Sequence, residues 1–193
     1  MSPDRGGVFA YHDIGPKERA PRLALVADLH GNELNGMFIL SRLAAYLRGI
    51  RLSDRHGLRL RERIVIVPTI NTLESINAHK TPQRADTSRR RLLWVEATDA
   101  VLALTRTAYY RVDIHQANLD IEEMPQVRLY APSDDERATA CLFGVPAVIE
   151  RPMEHGAVSG LAHAWRQQGG ENFSIYAGQS GSVQTRHCEI VFK

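Results

Sequence analysis

Along this chain, short uninterrupted aliphatic runs alternate with stretches whose apolar residues recur at helical spacing. RLALVADLHG (22–31), RIVIVPTIN (63–71), YYRVDIHQ (109–116), VPAVIER (145–151) and NFSIYAGQ (172–179) are the runs, each the pattern of a strand buried on both faces. Between the first two, Leu34, Met37, Phe38, Leu40, Ala44 and Leu47 line one face of a helix over 33–50. Further helices are predicted over 92–108, 133–144 and 159–170, and another begins at Ser182. The 133–144 segment carries the punctuation of a short helix: Ser133 as cap, three acidic residues after it and Gly144 at its end. Strands alternating with helices predict an α/β fold, a single domain over 1–193 with a mixed, largely parallel sheet flanked by helices. The polar, proline-containing stretch from Thr72 to Arg91 is predicted as an extended loop, long enough to be functional.

Composition narrows the function classes. The 193 residues include 44% hydrophobic and 24% charged residues, with no apolar run near the roughly 20 residues of a membrane helix. The polar, turn-rich N-terminus lacks a signal-peptide pattern, so the cytoplasm is the expected location. Cys141 and Cys188 are far apart and suggest neither a disulfide framework nor a cysteine zinc site. A net charge of +2 is a poor electrostatic footprint for nucleic acid. Lysine occurs only at 17, 80 and 193, and the arginine bias suits forked contacts to a carboxylate.

Candidate chemistry begins at ADLHGNELNG (27–36). His30 and Glu33 stand three positions apart at the carboxyl end of a predicted strand, where open α/β sheets place their ligands, and Gly31 permits a tight turn between them. One histidine and one carboxylate leave a zinc site incomplete, because catalytic zinc usually takes three protein ligands and a water. His115 in RVDIHQAN, again at a strand end, is the candidate third ligand. Strand alternation puts Asp113 on the same side as His115, where a carboxylate can orient the imidazole. One Zn2+ per chain is therefore expected.

LHGNELNG, VPTIN, ADTSRR and VDIHQ, in this order, resemble the succinylglutamate desuccinylase and aspartoacylase family, itself similar to the zinc carboxypeptidases. The resemblance covers roughly 20–190. It implies that His30, Glu33 and His115 are the zinc ligands, that Asn71 and Arg89 or its neighbour Arg90 contact substrate, and that Lys80 or Arg84 polarises the scissile carbonyl. Asp86 matches the family motif alongside Arg89, and Arg166 resembles a substrate-binding arginine of the family. The implied activity is hydrolysis of an amide bond in a small N-acyl amino acid or short peptide bearing a carboxylate. The family's further β-rich C-terminal domain has no counterpart in these 193 residues.

One departure is chemical. The family's general-base glutamate falls on Tyr176, and a phenol of ordinary pKa near 10 is a poor base at neutral pH. Glu150, at the end of VPAVIE, is the preferred substitute, with Glu171 and Glu154 as alternatives; Tyr176 would instead donate a hydrogen bond to a tetrahedral intermediate. Arg128 and Tyr130 are placed at the pocket mouth. The alternative is a ligand-binding homologue that keeps the metal and has lost efficient turnover.

Overall fold

The computed structural model describes residues 4–5, 9–27, 31–51, 57–70, 87–153 and 160–193. Among the described residues eight strands form a mixed sheet in the order β1-β2-β4-β3-β5-β8-β6-β7. They are β1 (Asp4–Arg5), β2 (Ala10–Ile14), β3 (Pro21–Ala27), β4 (Arg63–Val67), β5 (Tyr110–Ala117), β6 (Glu123–Tyr130), β7 (Ala147–Arg151) and β8 (Glu171–Gln179). The centre is parallel, β4 with β3, β3 with β5 and β5 with β8, whereas β2 joins β4, and β6 joins β8, antiparallel.

Among the described residues the helices that cover the sheet are α1 (Leu34–Arg51), α2 (Thr87–Thr105), α3 (Asp134–Ala140), α4 (Gly160–Gln167) and α5 (Thr185–Phe192). Alternation along the central strands feeds two cores. Leu25, Ala27, Val112, Ile114, Phe173 and Ile175 pack with Ile39, Leu40 and Ala44 of α1 and Cys188 of α5. On the opposite face Val26, Val65 and Val67 pack with Val101 of α2 and Leu161 and Trp165 of α4. This two-sided burial is why the central strands read as unbroken apolar runs.

One boundary and three strands differ from the sequence expectation, the short β1 among them. The stretch predicted as a loop to Arg91 becomes helical at Thr87. β2 and β6 were not predicted: β6 (EMPQVRLY) interleaves Pro125, Gln126 and Arg128 with its apolar residues, and its strand form depends on pairing with β8 and β7. Such pairing partners lie far away in sequence and leave little local signal.

Glycine sets the approach of α1 to the sheet. A Cβ on Gly36 would stand 2.8 Å from the Ala27 Cβ and 3.1 Å from the Ile114 carbonyl oxygen, so the start of the helix can rest directly on β3 and β5. Residues preceding α1 are thereby held over the carboxyl ends of the central strands.

Candidate active site

On β5, the side chains of Asp113 and His115 point to the face opposite Val112 and Ile114, and both are almost completely buried. His115 lies between two carboxylates. Its Nε2 is 2.7 Å from Asp113 Oδ2 and its Nδ1 is 3.0 Å from Glu33 Oε1, while the backbone N–H of Gln116 donates to the same Glu33 oxygen at 3.3 Å. Burial opposes a charge on the imidazole, yet the charge and hydrogen bond of Asp113, joined by Glu33, hold the pKa of His115 well above its ordinary value.

The donor set fits a divalent cation. With Nε2–H donating to Asp113, the Nδ1 lone pair faces the Glu33 carboxylate, and two such acceptors 3.0 Å apart need a proton or a metal ion to bridge their charge. Among the described residues no group of three or more His, Cys, Asp or Glu side chains forms a metal cage. Glu33 and His115 are brought together; His30, three positions before Glu33, lies outside the described residues.

Tyr176 faces His115 from the neighbouring strand. The two residues are register partners in the β5–β8 ladder, and their rings stack with centroids 5.0 Å apart and planes 28° apart. On the other side of the phenol, the Arg128 guanidinium carbon lies 3.7 Å from the ring centroid, a cation–π contact. Burial, and then the negative charge of Asp113, push the Tyr176 pKa well above the ordinary phenol value despite the opposing pull of Arg128. The Tyr176 hydroxyl is hydrogen-bonded with Tyr130, which favours the neutral phenol.

The other sequence candidates are dispersed. Glu150 is half exposed on the edge strand β7, its carboxylate forked by Arg137 of α3 at 2.9 and 3.1 Å. Strands β6 and β8 separate β7 from β5, so Glu150 sits about three strand spacings, roughly 14 Å, from the His115 strand. The structure does not bring this preferred base to the site, because an arginine on the adjacent helix satisfies it instead. Glu171 opens β8 at the opposite end of the sheet, where its backbone N–H bonds the Tyr109 carbonyl. Arg166 of α4 donates to the Ala131 carbonyl and to Glu136 Oε2 at 3.5 Å. Glu136 is itself the capping-box residue of α3 and accepts from the Asn172 N–H at 3.1 Å, so Arg166 is tied to a structural hub. It nevertheless borders a small hollow shared with Asp113, Tyr130, Trp165 and Ser174.

Asn71, Lys80, Arg84, Asp86, Glu154 and His155 lie outside the described residues. The backbone of Arg89 and Arg90 belongs to the first turn of α2, and their side chains are outside the described set.

Behind Glu33 runs a buried amide network absent from the sequence reading. The Asn35 N–H donates to Gln116 Oε1 at 2.8 Å, Asn35 Nδ2 donates to the Ala177 carbonyl at 3.0 Å and to Gln184 Oε1 at 3.2 Å, and the Gln184 N–H returns a bond to Asn35 Oδ1 at 2.7 Å. These bonds join α1, β5, β8 and the start of α5 next to the site. Both amides sit inside the motifs already singled out, Asn35 in HGNELN and Gln116 in DIHQ, and that adjacency was the available signal.

No family sequence model and no curated protein matches the chain. Solved structures do. A succinylglutamate desuccinylase from Silicibacter sp. TM1040 superposes with a TM-score of 0.67 at 18% identity, covering 95% of this chain and 57% of that one. The product-bound ectoine utilization protein EutE (DoeB) from Ruegeria pomeroyi gives 0.65 at 20% identity, covering 90% and 55%. A succinylglutamate desuccinylase/aspartoacylase from Rhodobacter sphaeroides gives 0.62 at 18%, covering 90% and 53%. The fold is that of the succinylglutamate desuccinylases and aspartoacylases. The chain spans little more than half the length of these proteins. Within the desuccinylase fold, the carboxyl ends of the parallel strands are where this chain gathers its buried histidine and carboxylates.

Proposed function

We propose that this protein is a zinc-dependent hydrolase of an amide bond in a small N-acyl amino acid or short peptide with a free carboxylate. The observation that carries the reading is the buried Glu33–His115–Asp113 arrangement at the carboxyl edge of a desuccinylase fold. Glu33 and His115, with His30 from the same loop, would hold the metal. A bound zinc supplies Lewis acidity toward the scissile carbonyl and lowers the pKa of its water toward about 7.

The chain's own groups account for orientation and charge. Asp113 fixes the tautomer of His115 and directs Nδ1 toward Glu33. Tyr176, stacked on His115, would donate a hydrogen bond to the oxyanion that develops on the substrate. Asn71, Arg84, Arg89, Arg90 and Arg166 are the proposed substrate contacts, the arginines pairing with its carboxylate through forked hydrogen bonds.

A second reading, a metal-binding homologue without efficient turnover, is favoured by the resemblance, which puts the phenol Tyr176, a poor base at neutral pH, where the family has its general-base glutamate. Metal analysis together with hydrolysis assays on a panel of N-acyl amino acids separates the two. The hydrolase reading expects about one zinc per chain, greatly reduced in His115→Ala, and measurable turnover of at least one panel member; one zinc with no turnover supports the binding reading. Metal content unchanged in His115→Ala refutes the site.

A further inference from the structure

We infer that Glu123, held by Arg128, is the proton-transfer carboxylate of this site; the inference rests on the hydrolase reading above. A phenol is a poor base at neutral pH, so under the hydrolase reading a carboxylate from another element would take the proton from water. Among the described residues the choices are few. Glu33 and Asp113 are committed to His115, Glu136 to the cap of α3, Glu150 to Arg137, and Glu122 to His187 Nε2 at 2.5 Å. Glu171 lies at the far end of β8.

Glu123 is itself bonded to Arg128, but it lies on the strand beside Tyr176. It is the first residue of β6 and stands opposite Gly178, two residues beyond Tyr176 toward the carboxyl end of β8, the edge at which Glu33 meets His115. A continuous set of contacts leads from it to the histidine. Glu123 Oε1 accepts from Arg128 Nη2 at 2.5 Å, the Arg128 guanidinium lies on the Tyr176 ring, and that ring lies on His115. Its second oxygen, Oε2, is buried and accepts no hydrogen bond among the described residues, and Arg128 Nε is likewise buried without an acceptor. Buried polar atoms without partners are rare and concentrate where a fold has a use for them. Here the Arg128 guanidinium lies on the Tyr176 ring with Glu123 bonded to it, and each of the pair keeps one buried atom without a partner among the described residues.

The chemistry balances with water as the only co-reactant. Glu123 accepts one proton from the attacking water as the water oxygen bonds to the carbonyl carbon. It returns that proton to the amide nitrogen as the C–N bond breaks, leaving a carboxylic acid and an amine with no change of oxidation state. Arg128 positions the carboxylate through their hydrogen bond.

The test uses the full chain loaded with zinc, comparing wild type, Glu123→Gln and Glu123→Asp. Glu123→Gln is expected to lower kcat by about 10²- to 10⁴-fold with KM within a few-fold, to keep one zinc per chain and to lose the acidic limb of the kcat–pH profile. Calorimetry with methylphosphonate in buffers of different ionisation enthalpy gives a readout apart from turnover: wild type takes up one proton on binding and Glu123→Gln takes up none. Should Glu123→Gln fail to fold, Glu123→Asp preserves the charge and carries the same test, with a lowered kcat and unchanged metal content expected. Turnover like wild type in either folded variant overturns the role of Glu123 alone. A wild-type protein that holds zinc and hydrolyses no N-acyl amino acid overturns the hydrolase reading and the proton-transfer role with it.

Discussion

His115 and Tyr176 are register partners on adjacent parallel strands, and their rings stack 5.0 Å apart. The phenol ring therefore acts as a wall for the imidazole, and its hydroxyl as a separate donor. Tyr176→Phe keeps the wall and removes the donor. We expect unchanged metal content and thermal stability but a kcat lowered by about 10- to 100-fold, a modest share of what an oxyanion donor contributes. Steady-state kinetics beside metal analysis check this, and unchanged kcat removes the hydroxyl from the mechanism.

In the proposed site Asp113 would act on the metal through His115. Asp113→Asn retains the shape of the side chain and can present an N–H where the ring nitrogen needs an acceptor. Zinc affinity is expected to fall about 10- to 100-fold, measured by competition with a chromogenic chelator. Affinity equal to wild type would mean that Asp113 does not orient the ring.

Glu150→Gln should leave turnover unchanged. Its carboxylate is exposed and bonded to Arg137 on the far side of β6 and β8, and Arg137 holds its pKa below the ordinary value. Parallel assays of Glu150→Gln and Glu123→Gln decide which glutamate matters, and a large loss in the former would refute the placement argued above.

Asn35 supports the site from behind. Asn35→Ala removes bonds to the Ala177 carbonyl and to Gln184 and leaves buried acceptors and donors unmatched. A loss of about 2–4 kcal/mol is expected from two or more unsatisfied groups, read from urea denaturation. A loss below about 1 kcal/mol would show that the network relaxes around the gap.

Acid sensitivity has an identifiable source away from the site. Burial alone would raise the pKa of Asp13, but the fork from Arg63 at 2.8 Å on both oxygens, with Lys17, lowers it below the ordinary 3.8. A depressed carboxylate pKa stabilises the fold above the unfolded value and loses that contribution as pH falls through the folded value. Asp13→Asn should therefore be destabilising at pH 7 and make little difference at pH 2, as measured by denaturant unfolding at each pH. Equal destabilisation at both would exclude the ion pair as the cause.

The sequence by itself determined the central strands, the helices between them and the order of the motifs, because two-sided burial and helical periodicity are local properties of neighbouring residues. It also placed Asp113 and His115 on one face, since alternation along a strand needs no knowledge of the partner strand. Only the tertiary structure decided that β8 lies between β5 and β6, and this one insertion selects the neighbours of the histidine. It brings Tyr176 against His115, Arg128 onto Tyr176 and Glu123 to Arg128, and carries Glu150 away to an edge strand. Glu123 and Glu150 are both strand-terminal glutamates and look alike in the primary structure. What separates them is pairing order, a contest among long-range contacts that no single segment records.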